Sequence, residues 1–462
     1  MEGDGTLTTQ SVVAARPGRA QDRPRPQLFV ALHCDRPLAG GSRHVLDGVD
    51  QVDLGRGSGA EPSATREGRR LRLGLADGRV SKEHARLLYA RGTWVLEDAG
   101  SKNGVAVNGA QVEQAVLADG DVIEVGHTFL LYRDAVAPLP GPPDLAASAL
   151  PAPMPALRTF VDALARDFTA LERLASSTVP LVVLGPSGTG KEVAARAVHQ
   201  LSGRKGPFVA MNCGALVDSL LESELFGHRR GAFSGAHEDR PGFIRSADRG
   251  TLFLDEVAEL PPASQVAFLR VLQEQEVTPI GHSAPVKVDV RICAATNADL
   301  ESLVAAGKFR EDLFARLFGL ALRLPALGER REDLGLLVAS LLARLPGGGR
   351  GKFHPSAARR IFTYAWPRNI RELERCLQTS LALAGDQPIG EEHLPHSLLA
   401  PPAAPAGDDD DEETRLRAQL SALLGEHGGN VSAVARVLGK APTQIHRWIK
   451  RYGLKLEQYR RA

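Results

Sequence analysis

Short apolar segments dominate the first third of the chain. Between residues 27 and 133 the runs QLFVAL, VDLG, LRLGL, ARLLYA, TWVLED, DVIEVG and TFLLYR recur, separated by Gly, Asp and Asn. Short alternating segments with turn residues between them predict an all-β sandwich over residues 27–133. Residues 1–26, polar and bearing Pro and Arg, predict a disordered lead-in. Residues 134–155 are rich in Pro and Ala and predict a linker of extended character. Over residues 156–325 helical and strand-like periodicities alternate, which predicts an α/β domain. From 326 to 399 the pattern is helical throughout, LGLLVASLLARL being the clearest run. Residues 400–413 are acidic and low in complexity, a second linker. In residues 414–462, Val431, Val434, Ala435 and Leu438 make one apolar helical face. Gly439 turns the chain, and Ile445, Trp448 and Ile449 make a second face. Two short helices about a Gly turn predict a small all-α helix-turn-helix. The fold class is therefore multidomain: β sandwich, α/β domain with a helical appendage, helical module.

Composition narrows the setting. At 462 residues with a net charge of +1, the chain is no polycation, so any nucleic-acid surface is local. Four scattered cysteines (Cys34, Cys213, Cys293, Cys376), with no CxxC pair, argue against zinc and against a disulfide framework. The first residues carry no apolar signal-peptide core, and no apolar run approaches the ~20 residues of a membrane span. The expectation is a cytoplasmic protein without a membrane partner.

The chemistry starts at residues 181–192. Leu181, Val182, Val183 and Leu184 form a strand-like run that breaks into Gly185, Pro186, Ser187, Gly188, Thr189 and Gly190, then Lys191 and Glu192 at the start of a helical stretch. Glycines there let backbone N–H groups close around phosphate oxygens, and the helix N-terminus and Lys191 favour anionic charge. A Gly-rich surface turn has the same composition. Against it stands a second strand, TLFLDE, ending in Asp255, suited to Mg²⁺, and Glu256, suited to activating water. The pair predicts a nucleoside triphosphatase using ATP and Mg²⁺.

Residues 157–398 resemble the AAA+ domain of bacterial sigma-54-dependent transcription activators. The most specific segment is GAFSGA, that is Gly231, Ala232, Phe233, Ser234, Gly235 and Ala236, preceded by ESELFGHRR. The resemblance implies that this loop contacts sigma-54 and moves with the nucleotide state. It also implies that Asn212 couples Glu256 to the loop and that Asn297 is the first sensor. Arg310 and Arg316 become arginine fingers for a neighbouring subunit, and Arg371 the second sensor on a helical lid. Such fingers imply a homo-oligomer, a hexameric ring. Departures from the family pattern are Pro186 for Glu, Ser234 for Thr, Ala298 for Arg, Gly328 within LRER and Arg368 within WPGN. None removes a phosphate-handling group.

Gly55–Arg56, the run Ser81-Lys82-Glu83-His84, and GSKNG followed by Asn108–Gly109 resemble the forkhead-associated domain over residues 28–133. That likeness implies phosphothreonine recognition, with Arg56 and Ser81 on the phosphate, Lys102 adding charge, and Asn103 holding the peptide backbone. His84 becomes a structural histidine. The stretch GSGAEPSATREGRR is a longer loop than the family usually has there. Residues 430–454 resemble the Fis-type module that ends many such activators, which implies enhancer DNA contacts by Thr443, Gln444, His446 and Arg447, with Lys450 and Arg451 on phosphates. Together these readings predict an ATPase that remodels sigma-54 RNA polymerase holoenzyme under control of a phosphothreonine protein. The competing class is a phosphopeptide-binding adaptor or repressor whose ATPase no longer acts on sigma-54.

Overall fold

The computed structural model describes residues 23–57, 59, 62–137, 141–215, 218–233, 236–399, 424, 431 and 434. Contacts divide the chain into two units, Met1–Leu399 and Ala400–Ala462. In the second unit Leu424, Val431 and Val434 are helical, and Leu424 and Val434 are buried. The remainder of the expected helix-turn-helix lies outside the described residues.

The N-terminal part is a sandwich of two sheets. One sheet has the strand order Gln114–Val116, Thr93–Asp98, Ala85–Ala90, Gln51–Arg56, Arg70–Leu75, Ser63–Glu67. The other runs Asp144–Ala146, Ser42–Val45, Arg25–His33, Thr128–Val136, Val122–Val125, Val105–Val107, Ala110–Val112. Alternation does what period two requires: Val52 and Leu54, then Leu71, Leu73 and Leu75, point into the core between the sheets, while their neighbours face out. Much of the stretch expected as a long loop after Arg56 is instead a hairpin. Ser63–Glu67 pairs antiparallel with Arg70–Leu75 about a turn in which Gly68 takes φ +58°.

The expected linker also has structure. Asp144–Ala146 adds an edge strand beside Ser42–Val45, and Leu145, Ala147 and Leu150 are buried. A buried relay fixes this strand: Ser42 Oγ lies 2.8 Å from His44 Nε2, and His44 Nδ1 lies 2.8 Å from Asp144 Oδ1. Arg66 donates to the same carboxylate at 2.5 and 2.9 Å, which helps hold its acid well below the usual range, at about 2, against the cost of burial.

Residues 181–323 form a five-stranded parallel sheet in the order Phe208–Asn212, Thr251–Asp255, Arg291–Thr296, Leu181–Leu184, Leu320–Arg323. Helices Lys191–Ser202 and Pro262–Glu274 belong to this domain. The lid follows with helices Leu334–Arg344, Pro355–Thr363 and Asn369–Ala384. No helix among the described residues is long and apolar enough to cross a membrane, and all four cysteines are buried and free.

Part of the outer face of the second sandwich sheet is covered by the lid. Phe29, Ala31, Phe129 and Leu131 share one apolar cluster with the lid residues Leu334, Val338, Ile361 and Phe362. Phe129 stacks on Phe362 with centroids 5.5 Å apart, and Phe29 meets Phe160 edge-on at 5.7 Å. Such pairs add about 0.5–1.5 kcal/mol each beyond burial. Gly335 is required here, because a Cβ would stand 1.7 Å from the Ala31 carbonyl oxygen. Two buried carboxylates are neutralised across the seam. Arg359 grips Glu124 through two 2.7 Å hydrogen bonds, and Arg133 reaches Glu332 at 2.8 Å. The sandwich and the lid are thus packed onto each other.

Candidate functional site

Three glycines shape the turn after strand Leu181–Leu184. Gly185, Gly188 and Gly190 take φ of +149°, +80° and +101°. A Cβ at Gly185 would lie 2.4 Å from Leu324 O, and one at Gly188 2.3 Å from Arg368 O. Gly190 caps helix Lys191–Ser202, whose N-terminus therefore opens at the carboxyl edge of the sheet. Thr189 Oγ1 donates to Pro186 O at 2.9 Å and closes the loop on itself. Lys191 is buried, and its ammonium donates to Gly185 O at 2.9 Å and Pro186 O at 3.3 Å. Burial pushes its pKa down, Asp255 and Glu256 pull it back up, and Arg371 opposes them. Glu192 faces elsewhere: its carboxylate pairs with Arg196 one turn along, at 2.7 and 2.9 Å.

Asp255 ends the neighbouring strand, and Glu256 follows in the left-handed region with φ +55°, a strained setting for a residue with a side chain. Gly214, which sequence reasoning did not single out, sits against it. A Cβ there would meet Glu256 Oε2 at 2.6 Å and Asn212 Oδ1 at 3.5 Å, and the Gly214 N–H donates to Asn212 Oδ1 at 2.8 Å. One glycine therefore lets Asn212 and Glu256 converge. Asn297 follows strand Arg291–Thr296, beside the phosphate-loop strand, and is exposed at the same edge. Arg371 of the lid donates to Ser187 Oγ at 2.9 Å.

The two remaining arginines stand apart from this cluster. Arg310 precedes helix Glu311–Leu317 and pairs with Asp312 at 2.7 Å. Arg316, exposed on that helix, lines a surface hollow with Thr178, Pro180 and Gln275. Thr178 and Pro180 precede strand Leu181–Leu184, so Arg316 lies toward the amino ends of the parallel strands. The phosphate loop opens at their carboxyl ends.

Gly231, Ala232, Phe233 and Ala236 are drawn together by backbone hydrogen bonds into a pinched loop. The Gly231 N–H donates to Ala236 O at 2.8 Å, Ala236 to Phe233 O at 3.0 Å, and Ala232 to Arg229 O at 3.1 Å. Arg229 pairs with Asp239 at the base, and His228 meets Phe233 edge-on at 5.0 Å. Phe233 is nevertheless 41% exposed. Ser234 and Gly235 lie outside the described residues, as do Thr443, Gln444, His446, Arg447, Lys450 and Arg451.

At one end of the sandwich, Arg56, Ser81 and Lys102 are linked through the backbone. The Arg56 N–H donates to Ser81 O at 2.8 Å, and the Lys102 N–H donates to Ser81 Oγ at 3.2 Å. Asn103 Nδ2 donates to Arg79 O at 2.6 Å. Gly55 allows the approach, since a Cβ would stand 2.1 Å from Lys82 O. His84 is fully buried between the loops, accepting from the Ser81 N–H at 3.0 Å and lying 3.0 Å from Gly104 O. It is a structural tie. The exposed Arg56 guanidinium has no partner among the described residues. Two cationic residues and a hydroxyl residue on neighbouring loops are groups that suit a dianionic phosphate.

Three family matches cover this architecture in order: FHA domain over residues 53–126, Sigma-54 interaction domain over 159–323, and AAA+ ATPase lid domain over 328–410. The chain is 44% identical over 292 residues to the Nif-specific regulatory protein of Azotobacter vinelandii, covering 61% of this chain and 55% of that one. It is 39% identical over 343 residues to the acetoin catabolism regulatory protein of Cupriavidus necator, covering 70% and 51%. It thus spans about half the length of these curated relatives. With the Sigma54-dependent transcriptional regulator SfnR of Pseudomonas fluorescens it shares 41% identity over 255 residues, 52% of this chain and 70% of the relative. A forkhead-associated sandwich, an AAA+ domain and its lid follow one another in one polypeptide, and the chain belongs to the sigma-54-dependent transcriptional regulators.

Proposed function

We propose that this chain is a sigma-54-dependent transcription activator, an ATPase that remodels sigma-54 RNA polymerase under control of a phosphothreonine signal. The observation that carries the reading is Phe233, held exposed on a pinched loop within the domain that also presents Lys191, Asp255 and Glu256 at one edge. Phe233 lies in the segment that the family resemblance assigns to sigma-54 contact, and its exposure leaves the ring free to make that contact. The Glu256 carboxylate takes the proton of the attacking water, Lys191 neutralises outer phosphate oxygens, and Asn297 and Arg371 orient the γ-phosphate. Mg²⁺ would be held by Asp255, a hard carboxylate at the end of strand Thr251–Asp255, and would neutralise charge on the phosphate oxygens. Arg316, far from its own phosphate loop, serves a neighbouring subunit, which supports a ring, a hexamer by the family resemblance. Residues 414–462 anchor the ring to enhancer DNA, and the setting is the cytoplasm.

Two results test the ends of this chain of events. Ser234→Ala leaves ATP hydrolysis intact while open-complex formation falls; equal loss of both makes the loop structural for the ATPase. For the input, a charge-assisted hydrogen bond contributes roughly 1.5–3 kcal/mol, so Arg56→Ala weakens phosphothreonine-peptide binding by at least about tenfold. Full-length protein is titrated with matched phosphothreonine, phosphoserine and unmodified peptide libraries. No preference for phosphate, or equal binding by Arg56→Ala, shows that the sandwich does not read phosphate.

A further inference from the structure

Three successive carbonyls of the phosphate loop are held by the lid. Asn369 Nδ2 donates to Ser187 O at 2.9 Å, the Arg371 backbone N–H to Gly188 O at 3.2 Å, and Arg330 Nη2 to Thr189 O at 3.0 Å. A trans peptide is planar, with its C=O and N–H on opposite sides. The three held peptide groups are those that carry the N–H groups of Gly188, Thr189 and Gly190. Pulling their oxygens toward the lid turns these donors the other way, into the concave side where phosphate oxygens bind.

Neither side chain is there by accident of a flexible surface. Asn369 is buried and sits at φ +56°, a backbone state that asparagine tolerates better than most residues. Its other amide atom is also engaged, Oδ1 accepting from the Leu327 N–H at 2.8 Å, which fixes the amide orientation. Arg330 is 5% exposed and breaks the 3-10 run Leu327–Asp333 with φ −131°, ψ 48°. Burying a guanidinium is costly unless it is used. Asp333 and Glu332 supply opposite charge nearby, its Nε has no hydrogen-bond partner among the described residues, and its Nη2 is spent on Thr189 O. We infer that Arg330 and Asn369 are positioning residues of the ATP site: they preset the phosphate-binding N–H groups from the lid, without touching the reacting atoms. This rests on the ATPase reading above.

The arrangement predicts a division of kinetic effects. Lys191 and Glu256 are untouched by changes at Arg330 or Asn369, so the chemical step at saturation persists while nucleotide capture suffers. Asn369→Asp is isosteric, keeps the acceptor for Leu327, and sets an oxygen against Ser187 O. Arg330→Met keeps the aliphatic stem and removes the donor. In full-length protein, titration with a fluorescent ATP analogue and steady-state phosphate release are expected to show Kd and KM raised about tenfold or more, with kcat changed less than about threefold. Arg330→Lys restores part of the affinity. Melting temperature and phosphopeptide binding, measured in parallel, report folding; should Arg330→Met not fold, Asn369→Asp and Arg330→Lys decide. Wild-type protein that binds no nucleotide removes the ATPase reading itself. Wild-type binding with variant Kd and KM within twofold of it, or a fall in kcat at unchanged KM, overturns the positioning role alone.

Discussion

Lys191→Ala loses nucleotide binding and hydrolysis together, whereas Glu256→Gln keeps ATP bound and loses about 10²–10⁴-fold in turnover. The difference follows from where the two groups stand. The Lys191 ammonium is buried in the phosphate loop and, among the described residues, bonded to the carbonyls of Gly185 and Pro186, contacts it exchanges for phosphate oxygens. Alanine leaves the cradle without its charge. Glutamine at 256 retains the size and polarity that Gly214 makes room for, and removes only the capacity to take a proton. Fluorescent-nucleotide titration measures the first effect and phosphate release the second. A Glu256→Gln variant that hydrolyses at the wild-type rate assigns the base elsewhere.

Arg316→Ala alone is inactive, with a loss of order 10³-fold, and regains activity when mixed with inactive Lys191→Ala protein. In the mixture an intact phosphate loop on one subunit meets an intact Arg316 on its neighbour. The expectation follows from the family resemblance together with the position of Arg316, beside Thr178 and Pro180 at the amino ends of strands whose carboxyl ends hold the phosphate loop. Specific activity of the wild type accordingly rises with protein concentration. Turnover by a stable monomer, independent of concentration and unrestored in mixtures, excludes the shared site.

The phosphate loop, the paired carboxylates and the loops of the forkhead-associated sandwich were legible because each depends on local chemistry at fixed spacing. Gly185, Gly188, Lys191, Asp255 and Glu256 carry their geometry in the chain itself. What escaped was decided by packing between distant segments. By their turn-bounded pattern QLFVAL and TFLLYR read as ordinary strands of a sandwich, yet their unbroken apolar runs mark burial on both faces: Phe29 and Phe129 leave the sandwich core for the lid. The Pro/Ala-rich stretch was expected as a tether, since composition does not reveal that Asp144 will find His44 and Arg66. Arg330 lies in the charged string ERRED, where a solvated helix face is the ordinary expectation. Only the fold shows it buried against Thr189. Asn369 sat within the motif that identified Arg371, one helical step from notice.

One short segment of the lid touches both the sandwich and the phosphate loop. Residues 330–333 meet both ends of it: Arg330 holds Thr189, Arg331 donates to Gly120 O of the sandwich at 3.2 Å, and Glu332 pairs with Arg133. Asp333, fully buried, accepts from Thr159 Oγ1 and the Phe160 N–H at 2.6 Å each, and burial raises its carboxyl to about 6.

The most direct measurement of the central claim is open-complex formation on a sigma-54 promoter with purified sigma-54 holoenzyme. With full-length protein, promoter melting appears with ATP, and is absent with Glu256→Gln, which binds the nucleotide without turning it over. Robust ATP hydrolysis with no promoter opening, under conditions in which the phosphopeptide is bound, contradicts the account and leaves the chain a phosphopeptide-binding adaptor or repressor whose ATPase no longer acts on sigma-54.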